Sequence, residues 1–452
     1  MFVKPLNVTL STLEQLYSDL QKSPGAMYLD SAADNHENSN HSVFVWEPKY
    51  IIEADLKTTR IYQQNKLIEQ SDDDPLKVIQ NYLNTLPKFD SELPFYGGAI
   101  GYWDYELGGR FEALPIPRRN DIRLPNMYVG IYESAIVFDH QNAEALFVSV
   151  SENAETVFHF ITQRINKEPK ETKPCFRLTS AWQSNMSKTE YEEKFNQVHE
   201  YLLSGDCYQI NLAQRFSAQY EGDEWSAYTK LKEQNSAPFS SFIRLKQGVV
   251  LSVSPERFIQ VKGTLAETKP IKGTRPRSDN PQKDKALAEE LRNATKDRAE
   301  NLMIVDLLRN DLSKVAVPGT VEVPSLFAIE SFPAVHHLVS TVTAQIRAQF
   351  NALDLLRGAF PGGSITGAPK IRAMQIIHEL EPHPRSVYCG AIGYITPNGD
   401  MDTNITIRTL VCNKNQIHCW AGGGLVADSE CDAEYQETLD KVNKILPVLS
   451  EI

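Results

Sequence analysis

Strand-like and helix-like segments follow one another along this chain without the regular strand–helix–strand alternation that a parallel sheet requires. Predicted strands lie in residues 135–151, which form a pair around a turn at His140, and in residues 391–396, 403–411 and 416–421. Predicted helices lie in residues 281–309, 352–360, 371–380 and 429–449. This mixed order favours an α+β fold, in which large antiparallel sheets form a sandwich with helices packed outside.

A charged, proline-bearing segment, residues 164–176, is the best candidate for a boundary within the chain. It separates an N-terminal region, residues 1–165, from a second region, residues 187–450. Ser187 and Glu190 have the spacing of a capping box and are followed by apolar residues at helical intervals. We therefore expect the second region to open with a helix.

The strand predicted after that helix has an unusual distribution of polar side chains. Tyr208, Ile210 and Leu212 are expected on one face, and Gln209 and Asn211 on the other. A strand buried on both faces would not place two amides side by side. The amide face is therefore either in contact with solvent or part of the lining of a polar cleft.

Composition limits the partners of the chain. A net charge of −12 argues against a nucleic-acid surface, which needs a basic field. Six cysteines without C-x-x-C spacing indicate reduced thiols and not a disulfide framework or zinc site. Neither a signal-type apolar segment nor a stretch approaching about 18 apolar residues is present. We expect a cytoplasmic protein that does not bind a membrane.

The segments SPERF and KPIKGT place a carboxylate, Glu256, and a lysine, Lys272, near the ends of two extended runs joined by a glycine-containing reversal. Such a hairpin can direct both side chains toward one cavity. A desolvated lysine loses its proton and becomes a nucleophile. The alternative is an exposed ion pair on the surface of the hairpin.

Two acidic pairs share a three-residue spacing that puts both carboxylates on one helical face. They are Asp297 with Glu300, and Glu434 with Glu437. Two such faces brought together would form an oxygen-only site suited to Mg²⁺. The alternative is that these acids are ordinary solvated residues on helix surfaces.

Glycine-rich turns offer two places for an anionic group. GGSITGAPK, residues 362–370, precedes a predicted helix, and AGGG, residues 421–424, follows a predicted strand. Either turn can instead serve backbone geometry alone. His337, one of two adjacent histidines, is either a functional residue or an ordinary core or surface histidine. No phosphate-loop, dinucleotide or glutaminase motif is present.

Taken together, the motifs resemble those of chorismate-utilising enzymes, and they occur in the order found in that family. The likeness is dense over residues 187–450 and weaker in the N-terminal region. It implies an α+β fold similar to that of anthranilate synthase component I. The motifs are SPERF, KPIKGT, KDRAENLMIVDLLRND, FPGGSITGAPK, CGAIGY, DTNITIRT, AGGGLVADS and EYQET.

Two positions indicate a branch within the family. Water-using members carry a lysine base where this chain has Gln209, so the resemblance implies an ammonia user. Anthranilate-forming members usually carry alanine at the position of Lys272. The resemblance is therefore to the branch that converts chorismate and ammonia to 4-amino-4-deoxychorismate, for p-aminobenzoate and folate. The alternative is the anthranilate-forming branch, which serves tryptophan synthesis.

The resemblance also implies roles for individual residues. Lys272 would attack C2 of chorismate, Glu256 would protonate the departing C4 hydroxyl, and His337 would lie near the ring. Glu300 and Glu437 would hold Mg²⁺, with Asp297 and Glu434 acting through water. A separate glutamine amidotransferase subunit would supply ammonia. The implied substrate-binding residues are Gln209, Gly273, Thr274, Tyr388, Arg408, Gly422, Gly423 and Gly424.

Members of this branch often hold tryptophan in the N-terminal part. Ser31, in YLDSA, and the segment Pro238, Phe239 and Ser240 match that pocket, whereas residues 38–41 depart from its pattern. The resemblance therefore implies a possible tryptophan pocket in the N-terminal region.

Overall fold

The computed structural model describes residues 1–31, 40–115, 120–166, 175–332 and 335–451. Its strands, in chain order, are β1 (Phe2–Leu6), β2 (Met27–Asp30), β3 (His41–Val45), β4 (Tyr50–Ala54), β5 (Thr59–Gln63), β6 (Lys66–Ser71), β7 (Gly98–Trp103), β8 (Met127–Tyr132), β9 (Ser134–Asp139), β10 (Glu144–Ser149), β11 (Phe176–Leu178), β12 (Gln183–Ser184), β13 (Gln209–Gly222), β14 (Phe239–Arg244), β15 (Val249–Ser254), β16 (Arg257–Lys262), β17 (Leu265–Thr268), β18 (Ile271–Pro276), β19 (Glu322–Ser331), β20 (Val335–Gln345), β21 (Gly367–Ala368), β22 (Ala391–Ile395), β23 (Met401–Ile405), β24 (Thr409–Asn413) and β25 (Gln416–Leu425).

The strands form two large antiparallel sheets. The first has the order β1-β10-β9-β3-β2-β14-β15-β24-β25-β13-β11, with β12 and β21 also paired to β13. The second has the order β18-β20-β17-β16-β23-β22-β7-β8-β4-β5-β6, with β19 paired to β20. Strands of the N-terminal region join strands of the second region in both sheets, at β2–β14 and at β7–β22. The two regions therefore share one pair of sheets.

Eleven α-helices are present in the described residues: α1 (Leu10–Leu20), α2 (Pro75–Leu83), α3 (Ala154–Ile165), α4 (Lys188–Leu203), α5 (Glu224–Asn235), α6 (Pro281–Asn293), α7 (Thr295–Ser313), α8 (Ala352–Ala359), α9 (Lys370–Leu380), α10 (Cys431–Asp440) and α11 (Leu446–Ser450). The predicted capping box of α4 is formed, because Ser187 and Glu190 bond reciprocally to backbone amides. Short 3₁₀ helices cover Tyr105–Arg110 and Gly363–Ile365.

The hydrophobic core explains the sandwich. Val250 of β15 lies in the core between the sheets, whereas its neighbours Val249 and Leu251 lie in a second core on the outer face of the first sheet. Helices α1, α3, α5 and α11 contribute buried residues to that second core. Each strand that is buried on both faces thus needs a helix layer outside it. The predicted fold class is confirmed.

Three predicted elements are wrong in their extent. The helix predicted over residues 281–309 is two helices, because Ala294 has extended ψ of 107° between α6 and α7. The helix predicted over residues 429–449 is likewise two, α10 and α11. The strand predicted over residues 403–411 is β23 of the second sheet followed by β24 of the first. Polar and apolar residues are interspersed throughout residues 403–411, as in a single strand, so the local pattern did not reveal that the chain changes sheets.

Two further expectations concern composition. All six cysteines are free thiols, as predicted. No helix within the described ranges is both long and apolar enough to cross a membrane. Residues 167–174 of the predicted connector lie outside the described residues.

Candidate active site

Glu256 and Lys272 lie on a hairpin of the second sheet. Glu256 directly precedes β16, which pairs with β17 around a turn containing Gly263, and Lys272 lies on the following strand, β18. β17 and β18 both pair with β20, which keeps them in one sheet. The two side chains interact electrostatically, with Glu256 buried and Lys272 half-buried. The structure therefore favours a buried pair over an exposed ion pair.

Burial gives Glu256 the properties of an acid. The residue is 8% exposed, and desolvation raises the pKa of its carboxyl group to about 7, against the opposing effects of Lys272, Ser364 and Lys441. Ser364 donates a hydrogen bond to Glu256 Oε1 at 3.1 Å. Sequence reasoning placed Ser364 only in an anion-binding turn and missed this contact. A carboxyl group that is half protonated near neutral pH can donate a proton to a leaving group.

Lys272 is shifted in the opposite direction. Burial lowers its pKa, and the ammonium of Lys441 adds to this effect, whereas the carboxylates of Glu300, Glu256 and Glu437 oppose it. A lowered pKa increases the fraction of neutral amine, which is the nucleophilic form. Desolvation is the largest cause of the shift.

The two acidic helix faces predicted from spacing do meet at this place. Burial raises the pKa of Glu300 on α7, and Glu434 on α10 adds to the shift. The carboxylates of Glu434 and Glu437 lie beside Gly423, since a Cβ atom there would be 3.0 Å from Glu434 Oε2 and 3.7 Å from Glu437 Oε1. The glycine at this position leaves room for both acids.

Basic side chains contact these acids. Lys441 Nζ lies 2.6 Å from Glu437 Oε1 and donates to the carbonyl oxygen of Gly422 at 2.7 Å. Lys296 Nζ lies 3.9 Å from Glu434 Oε1. Arg275 Nη2 lies 3.4 Å from Asp297 Oδ2. Sequence reasoning missed Lys441, although its four-residue spacing from Glu437 was a usable signal.

We call Glu256, Lys272, Glu300, Glu434, Glu437 and Lys441 the acid–lysine cluster. Within the residues that the structure describes, no three His, Cys, Asp or Glu side chains converge closely enough to hold a metal ion. The donor chemistry nevertheless suits a divalent cation, because these are oxygen ligands whose mutual repulsion and burial penalise the charged forms.

Backbone geometry around the cluster depends on glycine. Gly273 has φ of +69° and sits at a register shift of β18, next to Lys272. A Cβ atom there would lie 2.7 Å from Leu291 and 2.8 Å from Asp297. Both the backbone conformation and the packing therefore require glycine at this position. Gly273 allows α6 and α7 to approach the strand that carries the lysine.

Gln209 points toward Gly424, where a Cβ atom would lie 2.4 Å from its Nε2 atom. Gln209 is fully buried, and neither amide atom has a hydrogen-bond partner among the described residues. Asn211 is 7% exposed. The amide face is thus buried polar surface and not a solvated one. Tyr208 does not share the burial of Ile210, because it precedes β13 and is exposed.

Thr274 and His337 face each other across β18 and β20. Their side chains are joined between Oγ1 and Nδ1 at 3.0 Å, and the strands pair them directly. The imidazole ring of His337 packs edge-on against Phe332, with centroids 5.1 Å apart. The pairing of β18 with β20 therefore places both residues at the edge of the sheet that carries Lys272.

Tyr388 and Arg408 lie where the chain passes between the sheets. Tyr388 stacks on Trp420 with an interplanar angle of 6°. Arg408 has φ of +51° in the short link between β23 and β24. Burial lowers the pKa of Arg408, and no ion pair to its guanidinium occurs within the described residues. A desolvated, unpaired guanidinium is suited to bind a carboxylate of a ligand.

The residues of the predicted tryptophan pocket line a separate cavity of about 550 Å³. Ser31, Pro238, Phe239 and Ser240 all contribute, as do Asn40 and His41. Residues 38 and 39 lie outside the described residues. Two further lining residues are paired with each other: Arg257 donates two hydrogen bonds to the carboxylate of Asp402, at 2.9 Å and 3.0 Å.

Known proteins that resemble the chain identify its family. The family model of chorismate binding enzymes matches residues 25–447. Aminodeoxychorismate synthase component 1 of Escherichia coli is 52% identical over 97% of this chain and 96% of its own. The Salmonella typhimurium protein of that name is 50% identical over 98% of this chain and 99% of its own. The crystal structure of anthranilate synthase component I from Streptococcus pneumoniae superposes with a TM-score of 0.81, at 31% identity, covering 90% of this chain and 92% of that one.

These likenesses extend over nearly the whole chain and include both sheets. The chain belongs to the chorismate-binding enzyme family.

Proposed function

We propose that this chain is the large subunit, component 1, of an aminodeoxychorismate synthase. It converts chorismate and ammonia to 4-amino-4-deoxychorismate, the precursor of p-aminobenzoate and folate. The relatives that bear this name share about half of their residues with the chain over nearly its full length. The observation that carries the proposal is the pairing of buried Glu256 with half-buried Lys272, whose pKa values shift in opposite directions.

In the first step Lys272 and Glu256 act together. The neutral amine of Lys272 attacks C2 of chorismate, and the ring double bonds shift toward C4. The C4–oxygen bond breaks, and Glu256 gives its proton to the departing hydroxyl, which leaves as water. The raised pKa of Glu256 keeps that proton available near neutral pH. The product of this step is a covalent adduct between C2 and Lys272 Nζ.

Ammonia completes the exchange. It attacks C4, the double bonds shift back, and the C2–nitrogen bond to Lys272 breaks. The lysine nitrogen, an ammonium in the adduct, takes the electron pair and leaves as a neutral amine, and the new ammonium group at C4 returns one proton to the Glu256 carboxylate. Gln209, buried and without a titratable group, cannot deprotonate water as a lysine at this position would, which supports ammonia as the nucleophile.

Substrate carboxylates have candidate partners at the site. Arg408 can bind one carboxylate through two parallel hydrogen bonds, and the ring stack of Tyr388 and Trp420 provides a flat apolar wall. The amides of Gly422 to Gly424, with Gly273 and Thr274, form the remaining surface near the cluster. His337 contacts Thr274 and orients that hydroxyl.

Mg²⁺ is the cation that the acids fit. Glu300 and Glu437 would hold it directly, and Asp297 and Glu434 through water. Bound there, it would neutralise the ring carboxylate and fix its orientation. Lys441 balances the charge of Glu437.

Ammonia would come from a separate glutamine amidotransferase subunit, because the chain carries no glutaminase motif. Residues 187–450 would carry the chemistry. The cavity at Ser31 and Pro238–Ser240 would hold tryptophan, contributed jointly by the N-terminal region and β14.

One assay tests the proposal. The purified chain is incubated with chorismate, Mg²⁺ and ammonium, and products are separated by mass. We expect 4-amino-4-deoxychorismate, which retains the enolpyruvyl group. Fluorescent anthranilate together with released pyruvate would instead indicate the anthranilate-forming alternative. With glutamine in place of ammonium, the single chain should show no turnover. Adding the amidotransferase subunit should then restore turnover with glutamine.

A further inference from the structure

An ion triad centred on a buried carboxylate lies near the acid–lysine cluster, in parts of two motifs to which the proposed chemistry assigns no role. Asp311, near the end of α7, has a side chain only 2% exposed. It contacts Lys370 Nζ at 2.6 Å through Oδ2 and Lys314 Nζ at 3.0 Å through Oδ1. One carboxylate thus binds two ammonium groups.

The position of Lys370 is unfavourable by itself. It is the first residue of α9, where the helix dipole repels a positive charge, and its side chain is 15% exposed. Burial also lowers the pKa of Lys370. A lysine is retained at such a place only when its partners compensate for both costs. Asp311 supplies the opposite charge.

The second partner of Lys370 shows what the triad does to the chain. Lys370 Nζ donates to the carbonyl oxygen of Ala359, the last residue of α8, at 2.7 Å. Residues 360–369 form the loop between these two positions. Lys370 therefore closes the loop across its base and ties it to α7 through Asp311.

The two halves of this loop are anchored differently. The outgoing half pairs with β13, since Gly367 and Ala368 form β21 and the amide of Asn211 donates to the carbonyl of Thr366. The incoming half, which follows α8, is held by hydrogen bonds from side chains. Lys370 Nζ donates to the carbonyl oxygen of Ala359, and Thr366 Oγ1 donates to the carbonyl oxygen of Gly362 at 3.0 Å. The incoming half thus depends more on the triad.

The loop carries one side chain into the acid–lysine cluster. Ser364 lies between the two halves and donates to Glu256 Oε1 at 3.1 Å. Gly363, just before it, packs on Leu307 of α7, where a Cβ atom would meet the leucine at 3.3 Å. The distance from Ser364 to Glu256 is therefore set by how tightly the loop is held against α7.

We propose that Lys370 and Asp311 are positioning residues that hold Ser364 on Glu256 and thereby orient the carboxyl group that protonates the leaving hydroxyl. This inference rests on the proposed function for its kinetic consequences, but the closure of the loop is a property of the chain alone. Lys370 and Asp311 touch no substrate; they act through Ser364.

The main test uses Lys370→Met, which fills the same volume without the charge and leaves Asp311 paired with Lys314. With chorismate and ammonium we expect kcat to fall roughly tenfold, with KM for chorismate within about twofold, since a displaced acid affects the chemical step. The alkaline limb of the kcat–pH profile should move up by about half a unit, because Ser364 stabilises the ionised form of Glu256. The charged groups that face Glu256, Lys272 and Lys441, are unchanged in the variant.

Ser364→Ala should reproduce both effects, and the double variant should show no more than Ser364→Ala alone. Arg372→Gln is the matched control, because Arg372 lies on the same turn of α9 and pairs with Asp206 away from the loop. It should leave kcat and the pH profile unchanged. The positioning role would be overturned if Lys370→Met folds and keeps the wild-type kcat–pH profile. It would also be overturned if the effects of Lys370→Met and Ser364→Ala on kcat are fully additive.

Hydrogen exchange gives a result that does not need turnover. Asp311→Asn and Lys370→Met should speed exchange in residues 360–366 and leave Gly367 and Ala368, which pair with β13, protected. Equal exchange in wild type and both variants would overturn the loop closure. A wild-type chain that binds but does not convert chorismate would count against the proposed function and not against this contact.

Discussion

Glu256 and Arg257 are consecutive, yet they serve two cavities that differ in how charge is balanced. Glu256 enters the acid–lysine cluster, where burial raises its pKa to about 7 and lowers that of Lys272. Arg257 faces the cavity at Ser31, where it is 8% exposed and paired in two contacts with Asp402. Consecutive side chains in extended backbone point to opposite faces, which explains why Glu256 and Arg257 enter different cavities.

The two cavities differ in how far their buried charges are compensated. In the Arg257 cavity a bidentate partner compensates the buried charge, and its ring neighbour Phe239 lies 5.1 Å from the guanidinium. In the acid–lysine cluster the charges are left partly uncompensated, so protonation states are poised to change. Strongly shifted groups concentrate where reactions occur. The four predictions below test this contrast, from the largest expected effect to the smallest.

Lys272→Ala should have the largest effect. We expect the rate of the chemical step to fall roughly 10³-fold with little change in chorismate binding, because covalent catalysis follows binding. Intact-protein mass after quenching with chorismate, without ammonium, should show a dehydrated adduct mapped to Lys272 in wild type. Lys262→Ala, exposed on the same hairpin, is the control. An ordinary rate for Lys272→Ala, with no adduct in wild type, would reduce Lys272 to a binding charge.

Glu300→Gln and Glu437→Gln should come next. Each removes one carboxylate from the expected cation site and should lower turnover roughly 10²-fold, with a higher Mg²⁺ concentration needed for half-maximal rate. Turnover is measured across a Mg²⁺ series, and circular dichroism checks the fold. Asp306→Asn, on the exposed face of α7, should behave as wild type. Near-normal activity in both variants would show that the cation site is wrongly placed.

The pH dependence of wild type follows from Glu256. Its acid form is lost as pH rises through about 7, so kcat should fall about tenfold per unit above that value. The raised pKa also means that stability declines as Glu256 ionises, from about pH 4.5 to about 7. Glu256→Gln should remove both the alkaline limb and that decline, at a lower overall rate. If the alkaline limb is unchanged in Glu256→Gln, a group other than Glu256 is responsible for it.

Asp402→Asn should have the smallest effect on turnover, within about threefold, because it acts in the other cavity. Leaving Arg257 buried without its charge partner should cost about 3 kcal/mol of unfolding free energy, and should abolish any tryptophan binding. Urea unfolding and calorimetry with tryptophan measure the two effects. Arg309→Gln, which breaks an exposed pair, should cost less than about 0.5 kcal/mol. A large loss of kcat in an Asp402→Asn variant that remains folded would show that the two cavities are functionally coupled.

Local patterns in the sequence determined much of this protein. The capping box at Ser187, the mixed order of strands and helices, and the three-residue spacing of Asp297 with Glu300 follow from periodicity, which is a short-range property. Motif order then indicated the family and named Glu256 and Lys272. These inferences needed no knowledge of which segments meet.

Only the tertiary structure decided the rest. Residues 403–411 look like one strand, but the chain crosses between sheets and leaves Arg408 in the link. Ser364 reaches Glu256 from a segment 108 residues away in sequence. The pKa shifts of Glu256 and Lys272 arise from desolvation, which depends on the atoms that surround a group after the whole sandwich has assembled. Burial is a long-range property, and no local pattern encodes it.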